Sequence, residues 1–181
     1  MEKVGSQRLH PTLLEEFMQP EEGKKRAAGG SKSGSGEGSA ARILIADDDL
    51  QSVELLEAYL ADTGYEVRTA TDGEATLRET QQWQPDVILL DIMMPKISGF
   101  EVCKRLRAEP ATQEIAVLMI TALDQQSDID RAVEAGTDDF LTKPINKTEL
   151  LLRIKAALQS RQFKDPLEQA LAYIEGVQSA I

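Results

Sequence analysis

Acidic, hydroxyl and cationic side chains follow several short apolar runs of this sequence. Three successive aspartates, Asp47 to Asp49, come after ILIA, and Asp91 comes after DVILL. Thr121 ends the run IAVLMIT, and Lys143 follows DFLT. Neighbouring carboxylates repel one another unless a cation lies between them, and Mg²⁺ prefers hard oxygen ligands of this kind. These residue types therefore predict a Mg²⁺ site with a hydroxyl and an ammonium beside it.

A plainer interpretation makes the three aspartates a helix cap. Carboxylates at a helix start accept hydrogen bonds from free backbone N–H groups and interact favourably with the helix dipole. This interpretation suits Asp49. It does not explain Asp91 after four apolar residues, nor Lys143 before a proline, so the metal site accounts better for the whole set.

The apolar runs before these residues recur with the spacing of βα units. The runs are ILIA (43–46), YEVRTA (65–70), DVILL (86–90), IAVLMIT (115–121) and DFLT (139–142). Their starts lie 21 to 29 residues apart, which leaves room for a crossover helix each time. The second run alternates polar with apolar residues, as an edge strand does, whereas the first, third and fourth are apolar almost throughout. A parallel sheet would bring the polar residues together at one edge.

The helices are indicated by apolar residues at three- and four-residue spacing. These residues are Val53, Leu56 and Leu60, then Phe100, Cys103 and Leu106, and later Leu151, Ile154 and Leu158. Asn146, with Glu149 three residues later, resembles a capping pair at the start of the last of these helices. Cys103 is accordingly interpreted as a thiol of the hydrophobic core.

Four motifs, ILIADDD, VILLDIMMPKISGF, MITA and FLTKP, identify a known family by their order and spacing. Over residues 42 to 160 the chain resembles the receiver domain of response regulators, the phosphoproteins of two-component (phosphorelay) signal transduction. The resemblance implies a flavodoxin-like α/β fold, a doubly wound parallel sheet of five strands in the order 2-1-3-4-5. This order agrees with the edge position of the second strand.

The resemblance also implies roles for the acidic residues. Asp91 would be the phosphoacceptor, modified to 4-aspartylphosphate, and it would share a Mg²⁺ ion with Asp47 and Asp48. The backbone carbonyl of Met93 would complete the ligands that the protein supplies.

Three further residues receive roles from the family. Thr121 and Lys143 would contact the phosphoryl group from two sides, and Lys143 would form a cis peptide with Pro144. Phe140 would occupy the aromatic switch position, where tyrosine is usual. Since phenylalanine has no hydroxyl, only packing can signal there.

Such a domain accepts a phosphoryl group from a phosphohistidine of a sensor histidine kinase or histidine phosphotransfer protein, and then switches a surface that binds a downstream protein. It is not an enzyme, because it catalyses only its own phosphorylation and dephosphorylation. Two alternatives remain. A haloacid-dehalogenase phosphatase would use Asp47 as its nucleophile, but Leu50 and Gln51 do not fit that motif. A receiver-like scaffold would bind a partner without phosphorylation, which leaves the complete set of polar residues unexplained.

Composition excludes other classes of protein. The chain of 181 residues has 31 acidic and 20 basic residues, and its net charge of −11 opposes direct binding to nucleic acid or anionic lipid. It has one cysteine and one histidine, too few for a zinc site of thiolates and imidazoles. No apolar stretch approaches the ~20 residues of a membrane span, so we expect a cytoplasmic protein.

We place the receiver domain at residues 41–161. The segments on either side of it differ from it in composition. Residues 1–40 read as a flexible extension, because GGSKSGSGEGS at 29–39 is typical of a linker. Four apolar residues before it have helical spacing and fit either a fraying tail or a docking helix: Leu13, Leu14, Phe17 and Met18.

Residues 162–181 predict an additional C-terminal amphipathic helix that begins at Asp165-Pro166. Its apolar stripe consists of Leu167, Ala170, Leu171, Ile174, Val177 and Ile181. The stripe could pack on the receiver, form a homodimer on phosphorylation, or bind a partner. We expect no DNA-binding output domain, since only about twenty residues follow the receiver.

Overall fold

The computed structural model describes residues 40–122, 126–161, 163 and 165–178. Strands and helices alternate along them in this order: β1 (Arg42–Ala46), α1 (Leu50–Leu60), β2 (Glu66–Ala70), α2 (Gly73–Trp83), β3 (Val87–Asp91), α3 (Gly99–Ala108), β4 (Ala116–Thr121), α4 (Gln126–Ala135), β5 (Asp139–Thr142), α5 (Lys147–Ser160) and α6 (Pro166–Gln178). The interpretations of the N-terminal extension, its linker and Ile181 fall outside the described residues. None of the described helices is long and apolar enough to cross a membrane.

The five strands form one parallel sheet in the order β2-β1-β3-β4-β5. This confirms the predicted fold class. Every residue of β3 and β4 is buried, as expected for strands covered on both faces. β2 lies at an edge, as its alternating sequence predicts, and it leaves Glu66, Arg68 and Thr69 exposed.

The sheet divides the hydrophobic interior into two clusters, because successive side chains of a strand point to opposite faces. One cluster lies under α2, α3 and α4 and includes Leu44, Ile88, Val117, Phe100 and Cys103. The other lies under α1 and α5 and includes Ile43, Leu89, Leu118, Leu56 and Ile154. Helices on both faces leave only the two ends of the sheet for polar chemistry.

The helix starts follow the predicted caps, and the predicted apolar spacing of α5 is confirmed. Asn146 caps α5 and accepts a hydrogen bond from the N–H of Glu149, as expected. Ile154 is fully buried, and Leu151 and Leu158 are half-buried and pack against the cluster under α1 and α5. The buried face is wider than this spacing indicates, because it also includes Leu150, Ala156 and Ala157.

The C-terminal helix α6 packs along α5. It begins where the sequence predicts, and the Asp165 carboxylate accepts hydrogen bonds from the first free N–H groups. Only part of the predicted apolar stripe packs: Ala170 and Ile174 line a cavity together with Ala157 of α5, and Val177 is half-buried. Leu167, Leu171 and Ile174 are 69%, 52% and 49% exposed. The stripe was inferred from hydrophobicity alone, whereas the face against α5 includes Tyr173 and Gly176.

The cysteine prediction can be tested directly. Cys103 is fully buried, and burial raises the pKa of its thiol to about 11. We expect an aromatic disulfide reagent at pH 8 to leave the native protein unlabelled, because only about one thiol in a thousand would be ionised. The denatured chain should take one label. Rapid labelling of the native protein would contradict the core assignment.

Candidate functional site

Three carboxylates meet at the carboxyl end of the sheet. Asp47 and Asp48 directly follow β1, and Asp91 is the last residue of β3, the strand beside it. One oxygen from each carboxylate lies within 4.8 Å of the others. Asp47 and Asp91 are only 2% and 6% exposed, whereas Asp48 faces solvent. The strand order thus brings together residues that are more than forty positions apart.

Lys143 supplies the positive charge in this cluster. Its Nζ donates hydrogen bonds of 2.9 Å to Asp47 Oδ2 and 2.9 Å to Asp91 Oδ1. The backbone N–H of Lys143 donates to the carbonyl oxygen of Thr121 at 2.7 Å, and the peptide to Pro144 is cis, as the resemblance implied. The lysine is therefore fixed both through its backbone and through its side chain.

The loop after β3 holds the second oxygen of Asp91. The backbone N–H of Met93 donates to Asp91 Oδ2 at 2.6 Å, while the Met93 side chain extends into solvent. The loop turns back at Gly99, whose N–H bonds to the carbonyl oxygen of Ile92. A Cβ atom on Gly99 would lie 2.2 Å from the carbonyl oxygen of Asp91. Gly99 is thus a positioning residue that our sequence analysis missed, although it belongs to the quoted motif. The signal was a glycine in the first turn of a helix, directly after the capping Ser98.

Thr121 and Phe140 lie on the other side of Asp91. Thr121 is the buried last residue of β4, so its backbone shares the edge occupied by the carboxylates. Phe140 lies two residues before the end of β5, pairs in register with Met119, and packs against the cluster under α2, α3 and α4. The structure therefore joins Asp47, Asp91 and Lys143 by direct contacts, and it places Phe140 farther down its strand.

Asp49 has a different role from the two aspartates before it. Its carboxylate accepts hydrogen bonds from the N–H groups of Gln51 and Ser52 and from the Ser52 hydroxyl. The hydrogen bond from the Ser52 hydroxyl and those from the backbone hold the pKa of Asp49 below its usual value. The cap interpretation is thus confirmed for this residue.

The electrostatics of the cluster favour a bound cation. Burial raises the pKa of Asp91, although Lys143 acts in the opposite direction. The pKa of Lys143 is raised too: burial acts to lower it, but hydrogen bonds to Asp47 and Asp91 outweigh that effect. Three carboxylates beside one ammonium carry a formal charge of −2. An oxygen-only donor set with excess negative charge fits Mg²⁺, which takes one or two carboxylates and retains several waters.

Comparison with known proteins identifies the family. The model of the response regulator receiver domain matches residues 43–155. The chain is 45% identical over 130 residues to the response regulator PleD of Caulobacter vibrioides, and these residues are 72% of this chain and 29% of PleD. It is 43% identical over 134 residues to RpaA of Synechocystis, a DNA-binding dual master transcriptional regulator, with 74% of this chain and 54% of that protein covered.

A solved structure agrees with the same assignment. The chemotaxis protein CheY4 of Vibrio cholerae superposes with a TM-score of 0.63 at 32% identity, over 66% of this chain and all of CheY4. The chain spans between about a third and a half of the length of the two relatives above, so their output activities remain statements about those proteins. Residues 43–155, which the family model matches, include the acidic cluster and Lys143, and the chain belongs to the family of response regulator receiver domains.

Proposed function

We propose that this chain accepts a phosphoryl group from a phosphohistidine onto Asp91 and thereby switches a surface that binds a downstream protein. The observation that supports this most directly is the position of the Asp91 carboxylate, which is buried at the end of a central strand between Lys143 and the other two carboxylates. A structural counter-ion pair does not need a third carboxylate within 4.8 Å of the two that Lys143 contacts.

The transfer forms one bond and breaks one. An oxygen of Asp91 attacks the phosphorus, and the bond from phosphorus to the imidazole nitrogen breaks. The electron pair of that bond returns to the imidazole of the donor, which takes up a proton from solvent. The N–H of Met93 and the ammonium of Lys143 already orient both Asp91 oxygens, so little rearrangement is required before attack.

The transition state carries its charge on the peripheral phosphoryl oxygens. Lys143 can exchange its bond to Asp91 for one to a phosphoryl oxygen while it keeps its bond to Asp47. The Thr121 hydroxyl is the proposed second donor, at the end of β4. Asp47, Asp48, Asp91 and the carbonyl of Met93 would hold Mg²⁺, which when bound supplies further positive charge at these oxygens.

Two exposed apolar side chains beside the cluster support a protein as phosphodonor. Leu50 is 66% exposed at the start of α1, and Met93 is 70% exposed after β3. Each lies two residues from a carboxylate of the cluster, Asp48 and Asp91 respectively. A sensor histidine kinase or a histidine phosphotransfer protein could cover both side chains while it presents its phosphohistidine. We propose that this exchange takes place in the cytoplasm.

The switch would follow from differential contacts of the phosphoryl group. The group would draw the Thr121 hydroxyl inward, and Phe140 would fill the space that this movement leaves. Phe140 is half-buried and lies on β5, the edge strand next to β4. Its repacking would change the surface formed by α4, β5 and α5.

We predict that Asp91 accepts one phosphoryl group and that Mg²⁺ is required. Incubation with a phosphoramidate and Mg²⁺ should add one phosphoryl group to the chain, detected by intact mass. Asp91→Asn should abolish the addition, and so should EDTA. Labelling of Asp47 would instead support a phosphatase-like chemistry, and labelling that persists in Asp91→Asn would refute the proposal.

The role of Lys143 can be separated from folding. In the presence of Mg²⁺, Lys143→Ala should remain folded, as judged by circular dichroism, because the apolar strands supply the hydrophobic core and a bound cation can compensate the charge of Asp47 and Asp91. Its phosphorylation should slow on the order of 10²-fold, since a charged donor to the transferring group is lost. The matched control is Lys155→Ala, at an exposed position of α5. Equal rates for both variants would make Lys143 a structural counter-ion only.

The buried charge of Asp91 should reduce stability. The pKa of Asp91 is higher in the folded protein than its ordinary value of 3.8, so the ionised carboxylate destabilises the fold above that raised pKa. Without divalent metal at pH 7, Asp91→Asn should therefore raise the melting temperature. The difference should shrink as the pH falls toward 4, because the wild-type carboxyl becomes neutral.

The control for this measurement is Asp48→Asn, which removes an exposed carboxylate from the same cluster and should change the melting temperature much less. A lower melting temperature for Asp91→Asn than for the wild type at pH 7 would show that the interactions of the ionised group outweigh its burial.

A further inference from the structure

Helix α6 is attached to the receiver through a carboxylate of β5. The Tyr173 hydroxyl on α6 donates a hydrogen bond to Asp139 Oδ2 at the start of β5. Arg153 of α5 donates to the same carboxylate, and it also donates to Glu149 at 2.8 and 3.0 Å. The Asp139 side chain therefore connects three elements: β5, α5 and α6.

The same carboxylate bonds to the backbone of the switch position. The N–H of Phe140 donates to Asp139 Oδ1 at 2.8 Å, while Oδ2 accepts from Arg153 and Tyr173. One planar carboxylate thus holds Phe140 through one oxygen and α6 through the other. A rotation of the backbone at Phe140 must move Asp139, because the two residues share a peptide unit.

Helix α6 packs closely on α5 through one of its faces. A Cβ atom on Gly176 would lie 3.1 Å from the Cβ of Ala156, so the two helices approach closely at this point. The outer face of α6 stays in solvent with Leu167, Leu171 and Ile174. A C-terminal helix that is held on one face and has its other face in solvent opens at a lower cost in free energy than core strands that are buried on both faces.

We infer that α6 is a latch that covers the surface of β5 and α5, and that phosphorylation of Asp91 weakens its docking. The inference rests on the proposed function. The docked arrangement satisfies the donors from Phe140, Arg153 and Tyr173 with a single carboxylate. Inward repacking of Phe140 changes the direction of its N–H and moves that carboxylate, so the α6 contact is lost or strained when the switch operates.

The coupling must act in both directions. If phosphorylation weakens the docking of α6 by some factor, complete undocking of α6 must favour the phosphorylated state by that same factor, and a variant that undocks α6 in part must favour it by less. The hydroxyl of Tyr173 is the group to remove, because it lies far from the phosphoryl site along the chain and takes no part in the transfer. Release of α6 would uncover Asp139 and Arg153 for a downstream protein.

Hydrogen–deuterium exchange on the full chain tests the latch. Beryllofluoride with Mg²⁺ serves as the phosphoryl mimic, and we expect exchange of residues 166–178 to accelerate about tenfold, a usual size for coupling between two sites. Exchange in residues 86–95 reports separately whether the acidic cluster binds the mimic. If neither segment responds, the proposed function fails. If the cluster responds and α6 is unchanged or slower, the latch is refuted and the proposed function stands.

Two variants give the reciprocal measurement. Tyr173→Phe should accelerate exchange of α6 without the mimic and increase the apparent affinity for beryllofluoride about threefold to tenfold. The matched control is Tyr65→Phe, at a half-buried tyrosine outside α6. Gly176→Leu should act like Tyr173→Phe by pushing α6 away from Ala156. If both α6 variants loosen the helix but leave the affinity at the control value, docking and phosphorylation are not coupled.

Discussion

The contact of Lys143 with Asp47 and Asp91 is the interaction on which the acidic cluster of this domain depends. Burying two carboxylates costs free energy unless a cation and hydrogen bonds compensate for the lost water. Lys143 can reach both because β1, β3 and β5 run in the same direction and end at one edge. The apolar strands behind them exclude water, and this strengthens the same interaction. The buried faces of the sheet and the acidic cluster at its carboxyl end thus both follow from the parallel arrangement of the strands.

The sheet could be predicted from the sequence, but not all of its helices could. The apolar runs identified all five strands to within one residue at either end, because strands covered on both faces leave a continuous apolar signal and the edge strand β2 leaves an alternating one. Apolar spacing did not indicate α2, because its buried face includes two threonines, Thr76 and Thr80. Their hydroxyls donate to the carbonyl oxygens of Asp72 and Thr76 within the helix. A polar residue whose hydrogen bond is satisfied locally can be buried, and hydropathy does not register this.

The functional site, like the fold, could be predicted from the sequence only in part. Residue types at strand ends predicted the acidic cluster, the lysine and the hydroxyl, since parallel strands bring their ends together. The cap interpretation already separated Asp49 from Asp47, because the chain enters α1 at Asp49 and its carboxylate meets the free N–H groups of Gln51 and Ser52. The sequence could not show that α6 packs through Tyr173. That contact depends on the path of the chain between α5 and α6 and on a carboxylate, Asp139, that lies 34 residues earlier.

Strand β5 contributes side chains to both hydrophobic clusters. Its side chains alternate, so Phe140 packs into the cluster under α2, α3 and α4, while Leu141 packs into the cluster under α1 and α5. Because β5 is an edge strand, it has a neighbouring strand on one side only and can shift without disturbing β1 or β3. Lys143 follows its carboxyl end and Asp139 forms its amino end. A change of charge beside Lys143 can therefore affect the contact between Asp139 and α6 through the four residues of β5, without a separate pathway through the core.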